Sequence, residues 1–212
     1  ALAYNNIGNA MLEADADATQ TAYEKALGLY PDFLQERYFS SSQNLKNGLG
    51  DLFGGCVDVY HMAAEYAMMY NNLGKAKLLV EQYEDAKRNF QRAITLQPQL
   101  VQPYENLAFI YQQEKNTSQR NIMLATARYN QAHALLDTDS LTWANKVCDE
   151  ALSFVPDMPQ VLALKAQIQF KLDDKYSANA LIQRAINLAP ENATIQYRYA
   201  DLLAQQQRYD QA

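Results

Sequence analysis

Apolar and small residues recur at three- and four-residue intervals along most of this chain, the period of helices that bury one face. The clearest stretch runs from Tyr70 to Pro98, YNNLGKAKLLVEQYEDAKRNFQRAITLQP. It predicts two amphipathic helices separated by a polar turn at Glu81–Glu84. Tyr70, Leu73, Gly74 and Lys77 mark one face of the first helix; Ala86, Phe90, Ala93 and Ile94 mark one face of the second, and Pro98 stops it. A small residue stands where the helices must approach closely, and an aromatic fills the space beside it.

The same pattern opens the chain. Tyr4, Ile7, Gly8 and Met11 match the first face, and YNNIGNA echoes YNNLGKA. Asp15–Asp17 supplies capping oxygens for a second helix carrying Tyr23, Ala26, Leu27 and Leu29, closed by Pro31. The pattern returns after Pro156, where Leu162, Lys165, Ala166 and Gln169 precede Ala178, Ile182, Ala185 and Ile186. Pro190 then follows Pro156 at a spacing of about 34 residues, one full repeat. Gln196, Tyr199, Ala200 and Leu203 begin a further unit that stops at Ala212.

Two stretches are irregular. Pro31 and Pro98 stand nearly two such spacings apart, room for one more unit between them, yet Asn47-Gly48-Leu49-Gly50 and Gly54-Gly55 are helix breakers. A degenerate repeat over 32–66 is the first reading, a functional loop the second, and chain not represented near 39–56 the third. Pro98 to Pro156 is neither one spacing nor two. Tyr104, Leu107, Ala108 and Tyr111 mark one helix there, Gln119–Leu136 a second after the polar break Glu114–Ser118, and Leu141–Phe154 a third. Either one helix serves both neighbouring repeats, or residues are not represented near 112–140.

The order Tyr70, Leu73-Gly74, Lys77, then Ala86, Phe90 and Pro98 resembles the tetratricopeptide repeat pattern W-x2-L-G-x2-Y, A-x3-F, P. The resemblance implies an all-α, right-handed superhelical solenoid of antiparallel helix pairs over residues 1–212, irregular at about 32–66 and 112–140. Clear repeats lie at about 1–31, 67–100 and 159–192, irregular ones at 32–66 and 101–158, and a truncated one at 193–212. A pair alone cannot bury its apolar face, so neighbours stack and leave an extended inner surface. The unpartnered last helix leads to the expectation that the chain continues beyond Ala212, and the absence of an initiator Met that its start is processed or truncated.

In that family the first helix of each pair lines a concave groove that takes a peptide or partner helix. Helical phase then selects Asn5, Asn6 and Asn9; Asn71, Asn72, Lys75 and Leu78; Glu105, Asn106 and Phe109; and Tyr197, Arg198 and Asp201 as groove residues. Asn6, Asn72 and Asn106 share one slot, an arrangement similar to the asparagine ladder of the O-linked N-acetylglucosamine transferases, in which side-chain amides meet a peptide backbone. The family's two-carboxylate clamp is disfavoured, because Asn5, Asn9, Asn71, Lys75, Gln102 and Asn106 do not form its basic set. Tyr129 and Tyr197 are further contact candidates, since tyrosine buries area at low entropy cost.

Composition narrows the partners. A net charge of -6, from 24 Asp+Glu against 18 Lys+Arg, gives no basic stripe for nucleic acid or anionic lipid. No apolar run is long enough to insert in a membrane, and no signal segment opens the chain. Cys56 and Cys148 form no metal or redox motif and read as buried small hydrophobes, with a mutual disulfide the alternative. His61 and His133 lack ligands or nucleophiles at useful spacing and read as helix surface or groove decoration, Asp173-Asp174 reads as a helix cap, and Trp143 as a core or inter-repeat plug. Gly48–Gly55 lacks phosphate-loop order.

The expectation is therefore a non-catalytic protein-interaction scaffold, binding no cofactor and no metal, whose partner is a protein or peptide held in the groove. The alternative is the repeat arm of an enzyme or polysaccharide-export protein; self-association through exposed terminal helices is a third outcome.

Overall fold

Close approach of a small residue to a large one is what joins each helix to the next. In the computed structural model, which describes residues 2–12, 15–29 and 59–206, ten helices follow one another with no strand among the described residues. They are α1 Leu2–Met11, α2 Ala16–Gly28, α3 Val59–Leu79, α4 Tyr83–Leu96 and α5 Val101–Gln113, then α6 Thr117–Asp137, α7 Leu141–Phe154, α8 Pro159–Lys171, α9 Lys175–Leu188 and α10 Ala193–Gln205. The chain is all-α, built of antiparallel helix pairs: α1 with α2, α3 with α4, α6 with α7, and α8 with α9. It divides into two compact units, Ala1–Asn106 and Leu107–Ala212.

In the first unit, the Tyr23 and Phe90 rings lie over Gly8 and Gly74. A Cβ built on either glycine would stand 2.6 Å from ring carbon, so the close approach requires the missing side chain. Both rings are fully buried. α2 packs directly on α3: Tyr66 donates its hydroxyl to the Leu27 carbonyl at 3.0 Å, and Lys77 donates to Gln20 Oε1 at 2.7 Å. The two regular pairs are thus immediate neighbours. Residues 59–66, read from sequence as part of the degenerate stretch, are the first turns of α3; the remainder of that stretch, with Cys56 and Gly48–Gly55, lies outside the described residues.

The second unit repeats the logic with a different division of volume. Ala166 faces a core with Ile182, and Ala132 one with Cys148, all fully buried. Where the small slot gains a methyl group, the large slot loses its ring. Ala144, Val147, Ala151, Val161, Leu164 and Ile168 complete one core; Leu162, Ala163, Ala185, Ile195 and Leu202 complete the other.

Among the described residues, four turns close in one way. Glu81, Lys115, Asp139 and Asp173 have φ between 56° and 65°, and each is followed by a residue whose N–H returns to a carbonyl five residues earlier. This is the αL closure of a helix C-terminus, here without glycine. Asp174 then caps α9, accepting from Ser177 N at 3.0 Å, and that bond holds its carboxyl below its ordinary value. Asp15, Asn116 and Asn192 cap α2, α6 and α10 similarly. Glu81 to Lys115, and again Asp139 to Asp173, is one full period of about 34 residues, whereas Lys115 to Asp139 is shorter by about ten residues. The 21-residue α6 fills that short interval, following one such turn and preceding the next.

Trp143 corrects the sequence reading. It is 63% exposed, with Lys146 Nζ 5.3 Å from its ring, and plugs nothing among the described residues.

Candidate functional site

The leading helices α1, α3 and α5 carry the asparagine row, and in the first unit those amides bond one another. Asn72 Nδ2 donates to Asn9 Oδ1 at 3.0 Å and lies 3.3 Å from Asn5 Oδ1, while the Tyr23 hydroxyl donates to the same Asn9 oxygen at 2.7 Å. Asn106 Nδ2 donates to Asn71 Oδ1 at 3.0 Å. Asn5 and Asn71 are consequently buried, each an acceptor for the next leading helix. Asn6 and Asn9 are exposed; Asn72, Lys75, Glu105 and Asn106 are half-buried. The row therefore ties neighbouring helices together as well as presenting amides outward. A buried amide acceptor without such a donor would cost about 1–3 kcal/mol.

In the second unit, α6, α8 and α10 line a cleft of about 450 Å³. Tyr197 stands at its edge, 73% exposed, and Arg198 beside it donates Nη1–H to Gln167 Oε1. Lys171, at the end of α8, lies 3.8 Å from Asp139. Two carboxylates also line the cleft: Asp137, 3.2 Å from His133 Nδ1, and Asp201, which accepts from Gln205 Nε2 at 2.8 Å. Leu136, buried in the core with Ala132 and Cys148, borders the cleft. Tyr129 is half-buried with its ring edge-on to His133, and Phe109 is 49% exposed on α5.

Sequence reasoning named Tyr197, Arg198 and Asp201 and read His133 as helix surface or groove decoration, but missed Gln167, Lys171 and Asp137 as wall residues. The signal was present: His133, Gln167 and Asp201 recur at the repeat period, as do Asp137 and Lys171. Following the slot of Asn9 and Lys75 past the irregular stretch finds His133, Gln167 and Asp201, and Asp137 and Lys171 stand one helical turn beyond the first two.

A smaller cleft of about 360 Å³ lies in the first unit among α2, α3 and α4. Its cations are engaged: Lys77 with Gln20 and Glu24, Arg88 with Asp85, and Arg92 over the Tyr70 ring at 5.5 Å. Among the described residues, no cluster of three or more His, Cys, Asp or Glu is placed to hold a metal ion.

The paired helices, the glycine-on-ring contact and the closing prolines find a direct counterpart: the family model of the tetratricopeptide repeat matches residues 67–100. Residues 67–100 are a tetratricopeptide repeat. No curated protein matches it in sequence. Among solved structures, it is similar to YrrB, a tetratricopeptide-repeat protein with an unusual peptide-binding site, at 15% identity over 92% of this chain and 89% of that one, with a TM-score of 0.37. A thermophilic tetratricopeptide-repeat protein of Thermus thermophilus gives 15% identity over 96% and 98%, TM-score 0.37. Yeast Tom70 gives 17% over 99% of this chain and 44% of its own, TM-score 0.41. Tetratricopeptide-repeat folds are in general scaffolds for protein–protein interaction. No helix among the described residues is long and apolar enough to cross a membrane.

Proposed function

We propose that this tetratricopeptide-repeat chain captures an extended peptide or partner helix along its leading helices. The observation that carries the reading is the second-unit cleft, where three leading helices share one wall and leave Tyr197 largely exposed at its rim. A rigid aromatic with a polar tip is the side chain that gains most contact area for least ordering entropy. In the first unit the carbonyl oxygens of Asn72 and Asn106 remain to accept from a peptide backbone, while the amide nitrogen of each donates between helices.

The test is partner capture by the intact chain and by Tyr197→Ala, with helix content followed by circular dichroism. Capture should fall at least about tenfold, the weight of one aromatic anchor, without loss of helix. Undiminished capture by Tyr197→Ala would remove the second-unit wall from the proposal.

A further inference from the structure

Immediately before the small slot of a leading helix stands a residue whose chemistry follows what covers it. Leu73, before Gly74, is 6% exposed and packs with Ala76 against Tyr23 and Leu27 of α2. Lys165, before Ala166, is half-buried and bonds Asp149 of α7. Gln131, before Ala132, is exposed; α6 is continuous there, so no separate second helix precedes that half of it. A covered slot is thus apolar or ion-paired, and one left to solvent is polar.

α1 departs from this sorting. Its string YNNIGNA nearly repeats YNNLGKA of α3, yet Ile7 is 47% exposed, and Ala10 is exposed where its counterpart Ala76 is fully buried. Tyr4 adds a 38% exposed ring to the same face. The face has the composition of a covered one and the exposure of an open one. What fits it is shown by α2, which lies on the matching face of α3 through Gln20, Tyr23 and Leu27.

One position must differ. Lys77 of α3 donates to Gln20 of α2, and in the same slots Gln169 of α8 donates to Asn145 of α7. α1 carries Met11 there, which has no N–H to donate. The second helices α2, α4, α7 and α9 present Gln20, Lys87, Asn145 and Asn179 at the facing slot, all polar. Of these, α2, α7 and α9 already lie against the leading helices that follow them. A second copy of this chain is therefore a poor match for the face.

We propose that the Tyr4–Ile7–Met11 face of α1 docks an amphipathic helix of another protein, with apolar residues at i, i+3 and i+7 and the first of them against Met11. This surface shares no residue with the second-unit cleft.

Helix-stapled peptides of the sequence Ala16–Leu29 test it by fluorescence anisotropy: one unchanged, one with Gln20→Leu, and one with Gln20→Leu and Leu27→Asp. The Gln20→Leu peptide should bind the intact chain at least about tenfold more tightly than the unchanged one, and the third should not bind. Ile7→Asp in the chain should weaken the tightest binding about tenfold or more at unchanged helix content. Met11→Lys recreates the pairing of α3 and should shift the preference to the unchanged peptide. Equal binding of the first two peptides, no shift in Met11→Lys, or binding undiminished by Ile7→Asp overturns the proposal. Self-association of the intact chain by sedimentation, lost in Ile7→Asp, assigns the face to a second copy and overturns the partner helix. An Ile7→Cys thiol that resists a maleimide places another part of the chain on the face and overturns it too. The groove reading is untouched by these outcomes, since Tyr197→Ala tests it separately.

Discussion

At Gly74 the space for a side chain is already taken by Phe90. Gly74→Ala forces a fully buried ring to move and should cost about 1–3 kcal/mol, read as a lower denaturation midpoint. Phe90→Ile in the same chain should recover part of that loss, because Ala166 and Ile182 already share the equivalent core with those two side chains; purely additive effects would show that the pair does not act as one unit. Glu81→Gly or Lys115→Gly should stabilise by about 0.5–1 kcal/mol, since a side chain at positive φ is strained where glycine is not. Burial pushes the Cys148 thiol and the Tyr23 hydroxyl up to about 12. Both groups release their protons more readily in the unfolded chain, so their stabilisation is complete below about pH 9 and disappears as pH climbs toward 12. The alkaline fall in melting temperature should be shallower in Tyr23→Phe; an unchanged slope would remove Tyr23 from the account. The glycine-on-ring contacts were legible in the sequence because Gly8 and Gly74 stand in matching strings. The strained turns were not, because Glu and Lys carry no mark of a left-handed backbone. Trp143 was misread because its neighbour Ala144 does pack, while the tryptophan falls on the adjacent, outward side of the same helix.

Helices were legible wherever a proline closes the pair, and least so between Pro98 and Pro156, where the pattern of α6 serves two roles. Leu124 stands one period after Phe90, in the slot of a second helix, while Ala132 stands one period before Ala166, in the slot of a first. The residue alphabet permits both, since a continuous helix can present each on its own turn. Loss of either neighbouring turn should therefore be felt along α6, and the central amides near Ala125–Ala132, fully buried at both ends, should exchange with solvent as slowly as those of α7. Faster exchange at the middle of α6 than at its ends would indicate two helices in practice. The amide ties belong to this scale as well. Asn106→Ala leaves the buried Asn71 oxygen without its donor and should destabilise by about 1–3 kcal/mol, so any loss of binding in an Asn72→Ala and Asn106→Ala double variant has to be compared with its melting curve.

For the molecule as a whole, the repeat class could be read from one well-formed unit, whereas the cleft wall required the repeat spacing to be carried across a break in it. His133 seemed isolated in sequence because its companions, Gln167 and Asp201, are chemically unlike it; the wall is a property of position rather than of residue type. The shortened interval at α6 has a wider consequence. Repeat arrays are ordinarily thought to grow and shrink by whole duplicated modules, which keeps an even count of helices. Here deletion of about ten residues from a regular ancestor would fuse two adjacent helices into one and leave a packed core beyond the join. Evolution could then edit such an array in half-steps, and a search keyed to complete modules would overlook the members it edits this way.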